Sequence, residues 1–132
     1  MAAMNNHVGA MRKNFRDILN RDTLTAMPGG FSPLYARMAE EIGFECFFLA
    51  GSQMSAFLLG VPDNGILGLR DMVDHCRHAA MRAAIPIQLD ADTGFGNAVN
   101  VDFAIEEIIA SGVAACNIED QESPKKSATM AG

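Results

Sequence analysis

Residues 85–97 read IPIQLDADTGFGN, and this stretch decides the fold of the chain. An apolar run that ends at Leu89 leads directly into two carboxylates, Asp90 and Asp92, and two glycines follow. A short continuous apolar run that ends in a turn is typical of a strand buried on both faces in a parallel sheet. Carboxylates at the end of such a strand supply the oxygen ligands that a hard divalent cation prefers. The stretch therefore predicts a metal site built on parallel strands.

Similar units stand on both sides of this stretch. Apolar runs at 44–50 and 113–118 predict two further buried strands, and a shorter strand is predicted over 24–27. Apolar residues at helical spacing predict helices over 15–20, 33–42, 69–84 and 101–110. Alternating strands and helices indicate βαβ units around a parallel sheet. Two architectures fit this order: a doubly wound open sheet, and a (β/α)₈ barrel of which four such units make about half.

The composition limits the class of protein. Hydrophobic residues make up 49% of the chain, which is enough for one domain with its own core. The net charge of −6 argues against nucleic acid or an anionic membrane as a partner, and no apolar stretch reaches the roughly 18 residues that span a bilayer. Three widely spaced cysteines and a start without an apolar signal core predict reduced thiols in a cytoplasmic protein. We predict a single domain over 1–132, with a loose tail over 1–14.

The acidic residues that follow the predicted strands are the candidate metal ligands. Asp90 and Asp92 follow the third strand, and Glu119 follows the fourth. In both architectures the C-terminal ends of parallel strands meet at one edge of the sheet, where functional residues gather. Three carboxylates there would bind Mg²⁺, or Mn²⁺, directly and through waters. The alternative for each residue is a structural one, in which the aspartates cap a turn and Glu119 is a solvated loop charge.

Two further segments contribute candidate substrate contacts. Ala50, Gly51 and Ser52 follow the second strand, and a glycine there allows main-chain N–H groups to approach an anionic oxygen closely. Lys125 lies in the polar segment after the last strand. From a mobile loop, its ammonium could neutralise a carboxylate or phosphate of the substrate. The alternative for Lys125 is an exposed loop lysine without a role.

Taken in order, these motifs resemble those of the isocitrate lyase/phosphoenolpyruvate mutase superfamily over about residues 15–132. The matching segments are residues 43–52, GVPDNG at 60–65, DADTGFGN at 90–97, IEDQ at 118–121 and PKK at 124–126. The resemblance implies an α/β fold of the (β/α)₈ TIM-barrel type, of which this chain covers about the first four βα units. It also implies binding of Mg²⁺ and of a small 2-oxo or 2-hydroxy acid.

The resemblance also implies roles for single residues. Asp90 would bind the metal directly and contact the substrate, and Asp92 and Glu119 would hold metal-bound waters. The region of Ala50, Gly51 and Ser52 would hold the substrate carboxylate or enolate oxygen. Asp63 would lie on a gating loop, and it is predicted as a catalytic residue together with Lys125.

One departure from the family pattern narrows the choice of reaction. Lyases of the superfamily carry a cysteine that exchanges a proton, and Ser127 stands at that position here. A serine hydroxyl has a far higher pKa and is a poor replacement in acid–base catalysis. The difference favours branches without the cysteine, such as enzymes similar to oxaloacetate decarboxylase, or the phosphonopyruvate mutases and hydrolases.

The predicted function is therefore a Mg²⁺-dependent carbon–carbon lyase or decarboxylase. It would act on a small 2-oxo or 2-hydroxy dicarboxylic acid through a metal-stabilised enolate of pyruvate. The first alternative is a phosphonopyruvate or carboxyphosphonoenolpyruvate mutase or hydrolase. The second is an inactive, truncated half-barrel, because strands five to eight of the barrel lie outside these 132 residues. In either case we expect a homo-oligomer, since an open sheet edge favours association.

Overall fold

A computed structural model describes residues 2–127 of the chain, in which one parallel sheet is covered by helices. The strands are β1 (Gly29–Gly30), β2 (Phe47–Leu49), β3 (Ile87–Asp90) and β4 (Ala115–Asn117). The helices are α1 (Ala2–Leu19), α2 (Pro33–Ile42), α3 (Gly51–Met54), α4 (Leu69–Arg82) and α5 (Ala98–Ser111), and α3 continues as a π-helical turn over Ser55–Leu59. None of the helices in residues 2–127 is long and apolar enough to cross a membrane.

The order of the strands separates the two predicted architectures. The sheet runs β1-β2-β3-β4, every neighbouring pair is parallel, and each strand lies beside the next one in the chain. A doubly wound sheet reverses its strand order partway, whereas a barrel adds its strands in one direction. In addition, α2 packs on α4 and α4 packs on α5. The described chain therefore has the topology of consecutive βα units of a (β/α)₈ barrel.

The main core lies between the strands and the helices α2, α4 and α5, which pack side by side. Leu49 on β2 and Leu89 on β3 are fully buried, and Met72, Cys76 and Ala79 of α4 pack in the same cluster. Side chains alternate across a strand, so the neighbours of Leu49 and Leu89 face the opposite side of the sheet. There Phe48 and Gln88 are only partly buried, and they are register partners. One face of the sheet thus carries the core, and the other carries the partly buried side chains of Phe48 and Gln88.

The predicted loose tail over 1–14 is wrong for the described residues, which form most of α1. The buried residues Phe15 and Ile18 belong to a longer apolar stripe that begins at Val8 and Met11, at helical spacing. The local sequence favours this helix only weakly, because Gly9 and three asparagines lower the helix propensity.

Contacts with other helices hold α1 in place. Nη2 of Arg12 donates to the carbonyl oxygen of Ile109 at 2.7 Å, and Nε donates to that of Val113 at 3.3 Å. These carbonyls lie near the C-terminal end of α5, where a cation is favoured. Nε2 of His7 lies 3.3 Å from the carbonyl oxygen of Ala80 on α4. Tertiary contacts therefore complete a helix that local sequence leaves marginal.

The first strand also differs from its prediction. Residues 24–27 form no strand, and Leu24 is almost fully exposed. The strand lies instead at Gly29–Gly30, which pairs with Phe48 and Leu49 of β2. A Cβ atom on Gly30 would lie 2.8 Å from the Phe47 ring, so a glycine is required where β1 meets the core. Close packing rather than β-propensity selects this position.

The ends of two helices match and refine their predictions. The predicted N-cap of α2 is confirmed, because Ser32 Oγ accepts hydrogen bonds from the N–H groups of Leu34 and Tyr35, and the helix ends at Gly43 with φ of 101°. Helix α5 begins three residues earlier than predicted. Its N-cap is Asn97, whose side chain and that of Asn100 form a reciprocal capping box.

Candidate active site at the strand ends

The loops after β3 and β4 are joined at the C-terminal edge of the sheet. Ala91 N–H donates to the carbonyl oxygen of Asn117 at 3.0 Å, and Glu119 N–H donates to that of Asp92 at 2.8 Å. Asp90 is the last residue of β3, and Asp92 and Glu119 each lie two residues beyond a strand end. The three predicted metal ligands are therefore neighbours, as the strand-end argument required.

Glycines and backbone strain shape the turn that follows Asp90. Asp92 and Phe95 adopt φ of 53° and 65°, and Gly94 and Gly96 also have positive φ. Non-glycine residues in this region are uncommon, and they concentrate at functional sites. At Gly94 a Cβ atom would also lie 2.7 Å from the Val101 side chain on α5. The DADTGFGN motif thus encodes a tight turn between the acidic edge and α5.

The carboxylate of Asp90 is buried and held by backbone donors. Its Oδ2 accepts the N–H of Gly51 at 3.1 Å, and its Oδ1 accepts the N–H of Asp92 at 3.2 Å. Gly51 begins α3 directly after β2. In this structure the Gly51 N–H, predicted to hold an anionic substrate oxygen, therefore holds the anionic oxygen of Asp90.

A buried ammonium group lies among the other acids. Nζ of Lys125 is 2.9 Å from Oδ1 of Asp92, 3.0 Å from Oδ1 of Asp63 and 3.3 Å from Oε2 of Glu119. Only 2% of the Lys125 side chain is exposed, although the residues on either side of it are exposed. Lys125 thus joins the segment after β4 to the loop that carries Asp63 and to both neighbouring strand ends.

The surrounding charges keep Lys125 protonated. Burial by itself lowers the pKa of the ammonium, but the adjacent carboxylates of Asp92 and Asp63 outweigh it, so that the pKa is raised above its ordinary value. A lysine with a raised pKa cannot serve as a base near neutral pH. It can donate hydrogen bonds and supply a fixed positive charge.

The donor chemistry of this edge suits a hard divalent cation. Within residues 2–127, no three acidic, histidine or cysteine side chains form a ready cluster around one metal position. Mg²⁺ does not need such a cluster, because it keeps several waters and is usually held by one or two carboxylates. The oxygens of Asp90 accept hydrogen bonds from backbone N–H groups, whereas Asp92 and Glu119 form ion pairs with the ammonium of Lys125. The carboxylates at this edge therefore have the chemistry that suits Mg²⁺, and the separate roles of Asp90, Asp92 and Glu119 as metal ligands stay predictions.

Within residues 2–127, Ala50 and Ser52 form no hydrogen bond with the acids of this cluster. Ala50 is buried at the end of β2, and its N–H donates to the carbonyl oxygen of Gly30 at 3.0 Å. Ser52 is exposed on α3. Ser127 lies at the end of the described chain, and residues 128–132 of the predicted polar loop lie outside it. Substrate contacts by Ala50 and Ser52 stay predictions.

Sequence reasoning missed three amide side chains at this edge. Asn117 Nδ2 lies 3.5 Å from Oδ1 of Asp90, and Asn117 Oδ1 accepts a hydrogen bond from Gln88 Nε2 at 3.2 Å. Oδ1 of Asn64 is buried and has no hydrogen-bond partner among residues 2–127. The period of two along β3 places Gln88 on the same face as Asp90, so this residue could have been predicted. Asn117 required the register with β4, which the sequence does not give.

Comparisons with known proteins agree with the fold and the motifs. A family model described as phosphoenolpyruvate phosphomutase matches residues 15–131. The chain thus belongs to the phosphoenolpyruvate mutase family within the isocitrate lyase/phosphoenolpyruvate mutase superfamily. The predicted resemblance is confirmed, and so is the predicted (β/α)₈ barrel type covering about the first four βα units.

Individual relatives differ in their reactions. The chain is 37% identical to a chloroplastic carboxyvinyl-carboxyphosphonate phosphorylmutase of Arabidopsis thaliana, over 99% of this chain and 39% of that protein. It is 40% identical to oxaloacetate decarboxylase 1 of Pseudomonas fluorescens, over 86% of this chain and 39% of that protein. A structure of phosphonopyruvate hydrolase with oxalate and Mg²⁺ superposes with a TM-score of 0.82 at 34% identity, covering 88% of this chain and 41% of that one. The chain therefore spans about two fifths of the length of these relatives.

Proposed function

We propose that this chain carries the metal-binding and acid-binding edge of a Mg²⁺-dependent carbon–carbon lyase or decarboxylase. The substrate would be a small 2-oxo or 2-hydroxy dicarboxylic acid that is cleaved through an enolate of pyruvate. Mg²⁺, when bound, would supply positive charge against the negative charge that develops on the oxygens of the acid. The proposal extends to the whole enzyme, of which these residues make up about two fifths in the relatives.

The observation that supports it best is the convergence of three acids on one lysine, beside the buried carboxylate of Asp90. Asp63, Asp92 and Glu119 come from three different loops, and all three meet the ammonium of Lys125 within 3.3 Å. Buried charges are costly unless they are paired, so a fold keeps such a group where function requires it.

The chain's own residues have distinct roles in this proposal. Asp90 binds the cation, and Asp92 and Glu119 orient the waters around it. The Lys125 ammonium, which stays charged, supplies a fixed positive charge near the anionic oxygens of the acid. Asp63 holds Lys125 over the site from the loop after the π-helical turn, as the 3.0 Å ion pair supports. Gly51 contacts Asp90 at the end of β2, and together with its neighbours Ala50 and Ser52 it would bind a carboxylate of the substrate.

The direct test is Mg²⁺-dependent formation of pyruvate from a panel of acids that includes oxaloacetate, 2-methylisocitrate and 2,3-dimethylmalate. We expect turnover that chelation of the metal abolishes. Asp90→Asn should lower it by more than about 100-fold, since losing even an outer partner of a metal ligand costs about 10- to 100-fold. Asp102→Asn, an exposed change on α5, is the matched control. Metal-independent turnover, or full activity of Asp90→Asn, would contradict the proposal.

The second candidate is a phosphonopyruvate or carboxyphosphonoenolpyruvate mutase or hydrolase. It is supported by the identity with the Arabidopsis mutase and by the similarity to the phosphonopyruvate hydrolase structure. Both candidate functions use the same acidic edge, so substitutions at its residues do not distinguish one function from the other. Phosphorus NMR of phosphonopyruvate incubated with the protein and Mg²⁺ does, because only this candidate changes the carbon–phosphorus bond.

A further inference from the structure

The carboxylate of Asp90 is held from three sides. The N–H of Gly51 reaches Oδ2 from the end of β2, and the N–H of Asp92 reaches Oδ1 from the turn that follows. Asn117 reaches Oδ1 from β4, where it is the register partner of Asp90. Only Asp92 belongs to the same loop as Asp90. The other two groups come from the two neighbouring strands, so they define the position of the carboxylate within the sheet.

Gly51 contributes space as well as a hydrogen bond. A Cβ atom at this position would lie 3.1 Å from Oδ2 and 3.3 Å from Cγ of Asp90. Contacts this short are tighter than ordinary van der Waals contact, so the carboxylate would have to shift by a few tenths of an ångström. The φ angle of Gly51 is not in the left-handed region, unlike that of Gly94 or Gly96. Glycine is thus needed at position 51 for the approach of Asp90 rather than for an unusual backbone conformation.

Gln88 fixes the direction of the Asn117 amide. Gln88 Nε2 donates to Asn117 Oδ1 at 3.2 Å, which leaves the amino group of Asn117 to face the carboxylate. At 3.5 Å the contact of Asn117 with Asp90 is long, so its orientation matters more than its strength. Gln88, Asn117 and Asp90 thus form a chain of side chains across β3 and β4, beneath the acidic edge.

We infer that Gly51 and Asn117 are positioning residues for the metal ligand Asp90, with Gln88 acting through Asn117. The inference rests on the proposed function, in which Asp90 binds the cation. Hydrogen bonds to a ligating carboxylate fix its orientation, and their removal typically lowers metal affinity about 10- to 100-fold. The same residues would set which oxygen lone pairs of Asp90 remain for a cation, because each oxygen already accepts at least one hydrogen bond.

The test is the binding of Mn²⁺ alone to the purified chain, measured by the electron paramagnetic resonance signal of the free ion. We expect Asn117→Leu and Gly51→Ala each to weaken binding by about 10-fold or more. Gln88→Met should weaken it less, since it frees the Asn117 amide without removing the donor. Matched controls are Asn14→Leu on the exposed face of α1 and Gly29→Ala on β1, where an added Cβ meets only ordinary contacts.

The outcomes separate the two proposals. If the wild-type chain does not bind Mn²⁺, the metal assignment fails and this inference fails with it. If the wild-type chain binds Mn²⁺ and the folded variants bind it equally well, only the positioning role is overturned. Circular dichroism melting curves identify any variant that does not fold. Gln88→Met, which alters no group that itself touches Asp90, then serves as the deciding variant.

Discussion

At the scale of single residues, Lys125 is the side chain on which the acidic edge depends most. Replacing it with methionine keeps its bulk but leaves Asp63, Asp92 and Glu119 without their shared cation. Removing one partner of a buried ion pair costs about 3–5 kcal/mol, because the remaining charges stay buried. We expect Lys125→Met to lower the free energy of unfolding by about 3 kcal/mol, and Mg²⁺ to restore part of this loss. Urea denaturation with and without MgCl₂ measures both effects.

Lys126→Met provides the control for this experiment. Lys126 is the next residue and is exposed, so its substitution should change the free energy of unfolding by less than about 0.5 kcal/mol. Equal stabilities of the two variants would show that the three ion pairs of Lys125 contribute nothing in solution.

The cysteines give a second prediction at this scale. Burial raises the pKa of the Cys76 thiol to about 12, and burial also raises the pKa of Cys46 and of Cys116. Since the thiolate is the reactive form, a raised pKa leaves little of it at pH 8. We expect Cys76 to react with a thiol reagent only after denaturation. Mass spectrometry of alkylated peptides measures this residue by residue, and rapid labelling of Cys76 in the native chain would contradict it.

The sequence predicted the positions of those site residues that directly follow a recognisable strand. Asp90 and Asp92 follow an apolar strand directly, so their place at the edge of the sheet could be derived from pattern alone. The Gln88–Asn117 contact and the burial of Lys125 depend on register and on a loop path, which only the folded chain determines. For the same reason the sequence could not show that the N–H of Gly51 faces Asp90.

At the scale of elements, the capping box of α5 links secondary structure to the acidic turn. Oδ1 of Asn97 accepts hydrogen bonds from the N–H groups of Val99 and Asn100. Losing such an N-cap costs about 1 kcal/mol. We expect Asn97→Ala to destabilise the chain by about this amount in urea denaturation. Asn14→Ala, at an exposed position inside α1, should be neutral or slightly stabilising, and a similar loss in both variants would exclude a capping effect.

Elements with strong local signals were predicted and weak ones were not. Helix α2 carries a serine cap, a proline at its first position and a glycine at its end, and its predicted bounds were confirmed. Strand β1 consists of two glycines, which have low strand propensity. It forms because both glycines pair with β2 and Gly30 packs closely against the Phe47 ring. Helix α1 similarly depends on Arg12 and His7. Where tertiary contacts stabilise an element, the local sequence pattern does not predict it.

At the scale of the whole molecule, the sheet of residues 2–127 has two outer strands, β1 and β4, each with one unpaired edge. Helix α2 also exposes the apolar side chains of Leu34, Met38 and Ile42. Open edges and apolar faces favour association. We expect the chain of residues 1–132, prepared alone, to self-associate at micromolar concentrations, and Leu34→Glu with Ile42→Lys to reduce this. Light scattering coupled to size-exclusion chromatography decides, and a stable monomer would contradict the expectation.

The position of α1 has a practical consequence for how the protein can be handled. Its contacts with Ile109 and Val113 lie just before β4 begins, whereas the acids follow the strands' C-terminal ends. The helix therefore lies at the edge of the sheet away from Asp90 and Lys125. A fluorophore or a surface linker attached to the exposed side of α1, for example at Lys13, would leave the acidic edge open to solution. Immobilised in this way, the chain could be titrated with metal ions and acids on a sensor surface.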